Sequence, residues 1–154
     1  MEDIPIIQII TDTRTELPMR AHETDACVDL CASIKRPVRL CFGKQSLVPT
    51  GIKVHIPTSP PEFNWVLEIT PRSGLANKFG ITITNSPGQI DENYQGEIMV
   101  IVKNTKKNMF VIEPGMRFAQ MKLTKSYNFN WLRVSSFSAE TDRGDGGFGD
   151  SGHE

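Results

Sequence analysis

Several short stretches combine residue types that could hold an anion and activate water. Gly88-Gln89-Ile90-Asp91-Glu92-Asn93-Tyr94-Gln95-Gly96 sets a carboxylate, Asp91, and an aromatic ring, Tyr94, at a turn bounded by two glycines. Hydrolysis needs a base that orients and deprotonates water, and one carboxylate within hydrogen-bond reach is sufficient. Asp and Asn also occupy turns for backbone reasons alone, which is the plain reading of Glu92 and Asn93. Pro71-Arg72-Ser73-Gly74 follows an apolar run and opens a short helical stretch. A strand running into a helix start offers free backbone N–H groups, with the Ser73 hydroxyl and the Arg72 guanidinium beside them. The same four residues make an ordinary turn, and they lack the spacing and Lys-Ser/Thr pair of a Walker loop.

Three further segments carry polar groups in unusual settings. Asp29 stands in the small, apolar run ACVDLCA, residues 26–32. A carboxylate there is costly without a partner, so it is either paired structurally or serves a metal through water. Arg117-Phe118-Ala119-Gln120 begins a strand straight after the Pro114-Gly115 turn; strict alternation puts Arg117 with Ala119 and Phe118 with Gln120. Residues 139–154 (AETDRGDGGFGDSGHE) hold five of the twelve glycines and one bulky apolar residue, Phe148. Such a segment cannot offset its backbone entropy by burial, so a flexible terminus is expected. Arg143 and Phe148 in that frame also suit closing over a phosphorylated base.

The elements that must position these groups read as short strands separated by Pro, Gly and Asn. Residues 48–57 alternate, and residues 65–69 place Trp65, Leu67 and Ile69 on one face. Residues 80–84 and 98–102 are β-branched runs, the second continuous enough to be buried on both sides. Strands follow over 109–112 and 117–124, and the 88–96 segment reads as a β-hairpin. Only 73–79 looks helical. Strands recurring about every ten residues predict an all-β fold, closed or two-sheeted.

At 154 residues, 38% hydrophobic and 23% charged, the chain is one globular domain. A formal net charge of −1 excludes general electrostatic attraction to nucleic acid or to an anionic membrane. An acidic start and the lack of a long apolar run predict neither signal peptide nor membrane span. Cys27, Cys31 and Cys41 are odd in number, which favours free thiols in a reducing cytoplasm. A zinc site made from them with His22 is set aside, because thiols four apart in a strand are too distant for one tetrahedral ion.

ACVDLCA, PRSG, GQIDENYQG, RFAQ and RGDGGFGDSG together resemble, in order, the five motifs of the trimeric dUTPase family, from residue 26 to residue 152. The resemblance implies a jelly-roll-like β-barrel over residues 1–138 and a mobile arm over 139–154 that closes the active site. It implies a homotrimer with shared active sites and hydrolysis of dUTP to dUMP and pyrophosphate with Mg²⁺. Asp91 is then the base that activates water for attack on the α-phosphorus. Tyr94 stacks under the deoxyribose and crowds out a 2′-hydroxyl. The strand around 81–88, with Asn85, Gly88 and Ile90 in or beside it, forms the uracil pocket. Arg72, Ser73 and Gln120 contact the phosphate chain, and Asp29 holds Mg²⁺ through its water shell. Arg143 grips the γ-phosphate, Phe148 stacks on uracil, Ser151 and Gly152 bind phosphate, and Gly149 beside them also contacts the substrate. Cys27 stands where the first motif usually has Gly, and Pro87, Gln89 and Asp150 also depart from the family pattern. Two alternatives stay open: a dCTP deaminase-like enzyme of the same fold, and a dUTPase-fold protein acting mainly as a regulatory binding partner.

Overall fold

The computed structural model describes residues 5–141 and residue 144. Ten strands and one helix follow in chain order: β1 (Gln8–Thr11), β2 (Val28–Cys31), β3 (Val38–Leu40), β4 (Gln45–His55), β5 (Phe63–Pro71), α1 (Ser73–Phe79), β6 (Ile81–Ile83), β7 (Gly88–Asp91), β8 (Glu97–Asn104), β9 (Phe110–Ile112) and β10 (Arg117–Tyr127). One four-stranded sheet has the order β1-β4-β8-β6, the other β2-β10-β5-β7, and β3 pairs with β9 in a small ribbon. All the pairings are antiparallel. This is a jelly-roll-like arrangement of two facing sheets rather than one continuously bonded barrel.

Each sheet buries one face. Leu30, Phe118, Ala119, Leu67 and Ile69 come from one, and Val48, Ile52, Ile98, Val100 and Val102 from the other. Each large side chain so buried contributes roughly 1.5–3 kcal/mol. The run 98–102 departs from its expected double burial. Ile98, Val100 and Val102 are buried, but Met99 is 39% exposed. A single chain covers only the inner face of this antiparallel sheet, so the run behaves as an alternating strand despite its apolar outer residues.

The 88–96 segment also differs from the expected hairpin. β7 pairs with β5 in one sheet, while β8 pairs with β4 and β6 in the other. The turn therefore carries the chain between sheets. Local turn chemistry reads alike in both cases; long-range pairing decides which occurs.

Near the N-terminus a polar knot ties the chain to β4. Asp12 accepts hydrogen bonds from the Arg14 amide at 2.9 Å, the Arg14 guanidinium at 2.6 Å and the Ser33 hydroxyl at 2.6 Å. Gly51 has φ +70, and a Cβ there would lie 2.4 Å from Thr15 Oγ1 and 2.8 Å from Asp12 Cγ. Any side chain at Gly51 would thus force the knot apart. The Ser33 hydroxyl, more than any other neighbour, lowers the Asp12 pKa from 3.8 to about 2. The folded value lies below the unfolded one, so the stabilisation is complete above 3.8 and is lost as pH falls through about 2. The thermal-midpoint difference between the native protein and Asp12→Asn should accordingly shrink over that window. A difference that does not vary with pH would assign the knot's stabilisation to shape rather than charge.

Candidate functional site

The strand register assembles one pocket from three distant segments. β2 and β10 set Asp29 opposite Gln120, and β10 and β5 set Gln120 opposite Thr70, whose hydroxyl accepts from Gln120 Nε2 at 3.2 Å. Next along β5 comes Pro71, after which Arg72 caps the helix start in an extended conformation (φ −77, ψ 128) and Ser73 opens α1. No side chain caps that start, which leaves first-turn N–H groups for another acceptor. The result is a cavity of about 540 Å³ whose wall includes Asp29, Arg72, Ser73, Gln120, Cys27 and Lys78.

A bulge in β10 aims two of its side chains. The register shifts between Arg117 and Ala119. Phe118 and Ala119 are both buried, while Arg117 and Gln120 stay accessible on the Asp29 side. The expected pairing of Phe118 with Gln120 on one face is therefore wrong, because one extra residue in the strand resets alternation.

Asp29 is held between two guanidinium groups. Arg72 Nε lies 3.0 Å from Asp29 Oδ1 and Arg117 Nη1 lies 3.2 Å from Oδ2, with the Asp29 side chain 15% exposed. These pairs offset the cost of placing a carboxylate in an apolar strand. Arg72 Nη1 also donates to the Arg117 carbonyl at 3.0 Å, which fixes the fork beside the cavity that Arg72 lines. The walls carry Arg72 and Lys78 against Asp25 and Asp29, so their formal charges cancel. A polyphosphate there needs further positive charge. Burial first, and Asp29 second, push the Cys31 thiol upward, so it is protonated at neutral pH.

The other half of the predicted chemistry lies elsewhere on the chain. Asp91 pairs with Val66 on β5, five residues before Pro71. At about 3.4 Å per residue that is roughly 17 Å from Pro71, where the strand meets the Asp29–Arg72 cavity. Asp91 is exposed at the end of β7. Tyr94 is 43% exposed; its hydroxyl donates to the Glu97 carbonyl at 3.0 Å. Its ring crosses Gly96, where a Cβ would lie 2.4 Å from Tyr94 Oη. Gly88 is buried in β7 near Asn85, which is exposed, and Ile90 packs partly against the core.

One chain thus brings Asp29, Arg72, Ser73 and Gln120 together, and keeps Asp91, Tyr94, Asn85, Gly88 and Ile90 as a second group along β7 and its flanking turns. Arg143, Phe148, Gly149, Ser151 and Gly152 lie outside the described residues. Two residues to which the sequence assigned no functional role enter these groups. Arg117 completes the Asp29 ion pairs, and the uncompensated carboxylate in ACVDLCA is the signal that a cation must come from somewhere. Glu92 accepts hydrogen bonds from the Ser59 hydroxyl and the Trp65 amide, which no local pattern announces. As for a metal, no group of three or more His, Cys, Asp or Glu able to hold one occurs among the described residues. The donor set suits a cation carried in by phosphate instead, since Mg²⁺ keeps most of its water and needs only one or two carboxylates.

Comparison with known proteins agrees with both the fold and the family resemblance. The dUTPase family model matches residues 13–152. The deoxyuridine 5′-triphosphate nucleotidohydrolase of Rickettsia felis is 48% identical over 136 residues, covering 88% of each chain. That of Chlamydia pneumoniae is 45% identical over 141 residues, covering 92% of this chain and 94% of its own. Among solved structures, a Staphylococcus bacteriophage 80alpha dUTPase with dUPNHPP superposes with a TM-score of 0.82 at 24% identity, covering 96% of this chain and 99% of that one. A phage phi11 dUTPase mutant described as coordinating a structural Mg(II) ion gives 0.74 at 21% identity, covering 87% of this chain and 99% of that one. A family match across nearly the whole length, relatives near half identity, and a pocket built where three of the five motifs meet lead to one conclusion: this chain belongs to the dUTPase family.

Proposed function

We propose that the chain hydrolyses dUTP to dUMP and pyrophosphate, with Asp91 as the base and the Arg72–Ser73–Gln120 pocket as the phosphate site. The carrying observation is the convergence of Asp29, Arg72, Ser73 and Gln120 in one cavity of a chain that belongs to this family. Water adds to the α-phosphorus as Asp91 takes its proton, and the bond to the bridging oxygen breaks to release pyrophosphate. Arg72, Ser73 and the first-turn N–H groups of α1 stabilise charge on the departing phosphates. Asn85, Gly88 and Ile90 frame the base, and Tyr94 lies under the sugar. Asp29, with Asp25 nearby, would hold Mg²⁺ through its waters, and the metal supplies the positive charge that the balanced pocket walls lack. The arm of residues 139–154 closes the site with Arg143 on the γ-phosphate, Phe148 on uracil, and Gly149, Ser151 and Gly152 beside them. Relatives of nearly half identity are nucleotidohydrolases, which favours hydrolysis over deamination.

We place the complete site between subunits of a homotrimer. The roughly 17 Å along β5 between Asp91 and the phosphate pocket supports this, since one chain cannot reach one α-phosphorus with both. The segment after β10 supports it too. Asn128 ties its start to the body, its amide donating to the Glu62 carbonyl at 2.9 Å and its side chain to the Pro61 carbonyl at 2.8 Å. Beyond that tie Phe129, Trp131, Leu132 and Phe137 are 70–90% exposed. Apolar surface on that scale calls for a covering partner, and a second copy of the chain is the one that the divided site requires. The three cysteines are free, which suits action in a reducing cytoplasm. Among the described residues no helix is long and apolar enough to cross a membrane.

Pyrophosphate release from dUTP, dTTP, dCTP and UTP, with and without EDTA, tests the assignment. Only dUTP should turn over well, and EDTA should suppress it. The same assay on a chain ending at Thr141 should lose most of the rate while the fold's circular dichroism persists. Uridine nucleotides formed from dCTP, or a full rate without the arm, would overturn the corresponding part.

A further inference from the structure

Glu92 follows Asp91 directly, and the ladder between β7 and β5 ends at the Asp91–Val66 pair. One residue further along β5, the Trp65 amide has no backbone acceptor from β7. Glu92 fills that place: its Oε2 accepts the Trp65 N–H at 3.2 Å and also the hydroxyl of Ser59, from the loop between β4 and β5. The Ser59 hydroxyl foremost, then the Trp65 and Ser59 amides, hold the Glu92 carboxyl below the usual carboxylate range. It is therefore ionised at neutral pH, where charge-assisted bonds are strongest. The turn itself closes with the Tyr94 amide on the Asp91 carbonyl at 3.0 Å, and Tyr94 fixes the far side by its bond to Glu97. Asp91 is exposed and, among the described residues, its carboxylate has no hydrogen-bond or ion-pair partner. Its placement is set by its backbone, and the backbone on its C-terminal side is set by Glu92.

We infer that Glu92 is a positioning residue: pinned by Ser59 and Trp65, it holds the end of β7 so that Asp91 meets water at the reacting phosphorus. This rests on the assignment of Asp91 as base. Glu92 touches neither substrate nor water in this role. It acts by denying the Asp91 segment the ångström-scale freedom that degrades a proton-transfer geometry.

Steady-state kinetics with dUTP on Glu92→Ala, Glu92→Gln, Ser59→Ala, Asp91→Asn and the double variant Asp91→Asn/Glu92→Ala test it, with thermal midpoint and oligomeric state followed in parallel. Glu92→Ala should lower kcat by about tenfold or more with little change in KM. Glu92→Gln keeps an oxygen acceptor for both donors and should recover most of that loss. In the Asp91→Asn background the Glu92 substitution should cost nothing further, because two residues acting through one group are not additive. A residue that served stability alone would lower the thermal midpoint without this pattern. Unchanged kcat in Glu92→Ala, a loss confined to KM, or an equal loss in the Asp91→Asn background would each overturn the inference. Should Glu92→Ala not fold, Ser59→Ala provides the reading: a several-fold fall in kcat supports the role, and none refutes it. Full activity of Asp91→Asn itself would instead remove the base assignment, which distinguishes the two failures.

Discussion

Asp91→Asn lowers kcat for dUTP by about 10²–10⁴-fold, the span that a positioned general base supplies. That corresponds to roughly 3–5 kcal/mol of transition-state free energy. KM should move little. Asn keeps the size of Asp and its hydrogen-bonding oxygen, so the turn and the neighbouring Tyr94 ring remain in place. Asp91 is exposed at the end of β7, and losing its charge removes no ion pair among the described residues, so the thermal midpoint should also hold. The Asp29 pocket, which binds phosphate in this reading, is separate along the chain and retains its cations. Single-turnover measurement of pyrophosphate release isolates the chemical step. An unchanged rate there excludes Asp91 as the base whatever the affinity.

If the site is shared between subunits as proposed, Asp91→Asn and Ser73→Ala proteins, each inactive alone, regain activity when unfolded together in equal amounts and refolded. The expectation follows from the division seen within one chain. A site that takes Asp91 from one subunit and Ser73 from its neighbour is intact when the first comes from the Ser73→Ala chain and the second from the Asp91→Asn chain. Random mixing makes about one site in four intact, given that each cyclic interface joins two independently drawn chains. A site complete within one chain would give none. The yield thus counts subunit sharing directly, and it is insensitive to the absolute loss in either variant. Sedimentation of the mixture should show trimers throughout; a monomer would sink the shared-site reading outright.

Much of the architecture is legible in the sequence. The helix over 73–79 has the bounds read from the sequence, and the structure ends it at Gly80, which takes φ 66 and whose amide bonds back to Ala76 at 3.0 Å. The strands over 48–57, 65–69, 80–84, 109–112 and 117–124 all appear, lengthened or trimmed at their ends. Asp29 announced itself by standing in a run of small apolar residues. Its partners did not: Arg117 lies 88 positions away and reads in isolation as a surface cation.

What the order of residues determined here was local and chemical. It set which stretches alternate, where glycine and proline break them, and which groups could bind phosphate or take a proton. Tertiary structure decided everything that depends on two distant strands sharing a hydrogen-bonded register. It turned the apparent 88–96 hairpin into a crossing between sheets, reset β10 with a bulge so that Arg117 and Gln120 both lie on the Asp29 side, and fastened Glu92 to Trp65. It also set Asp91 roughly 17 Å along β5 from the Asp29–Arg72 pocket. Local dihedral preferences are nearly the same in each of those cases. The choice between them is made by which apolar faces meet across the core, and no window of adjacent residues contains that energy.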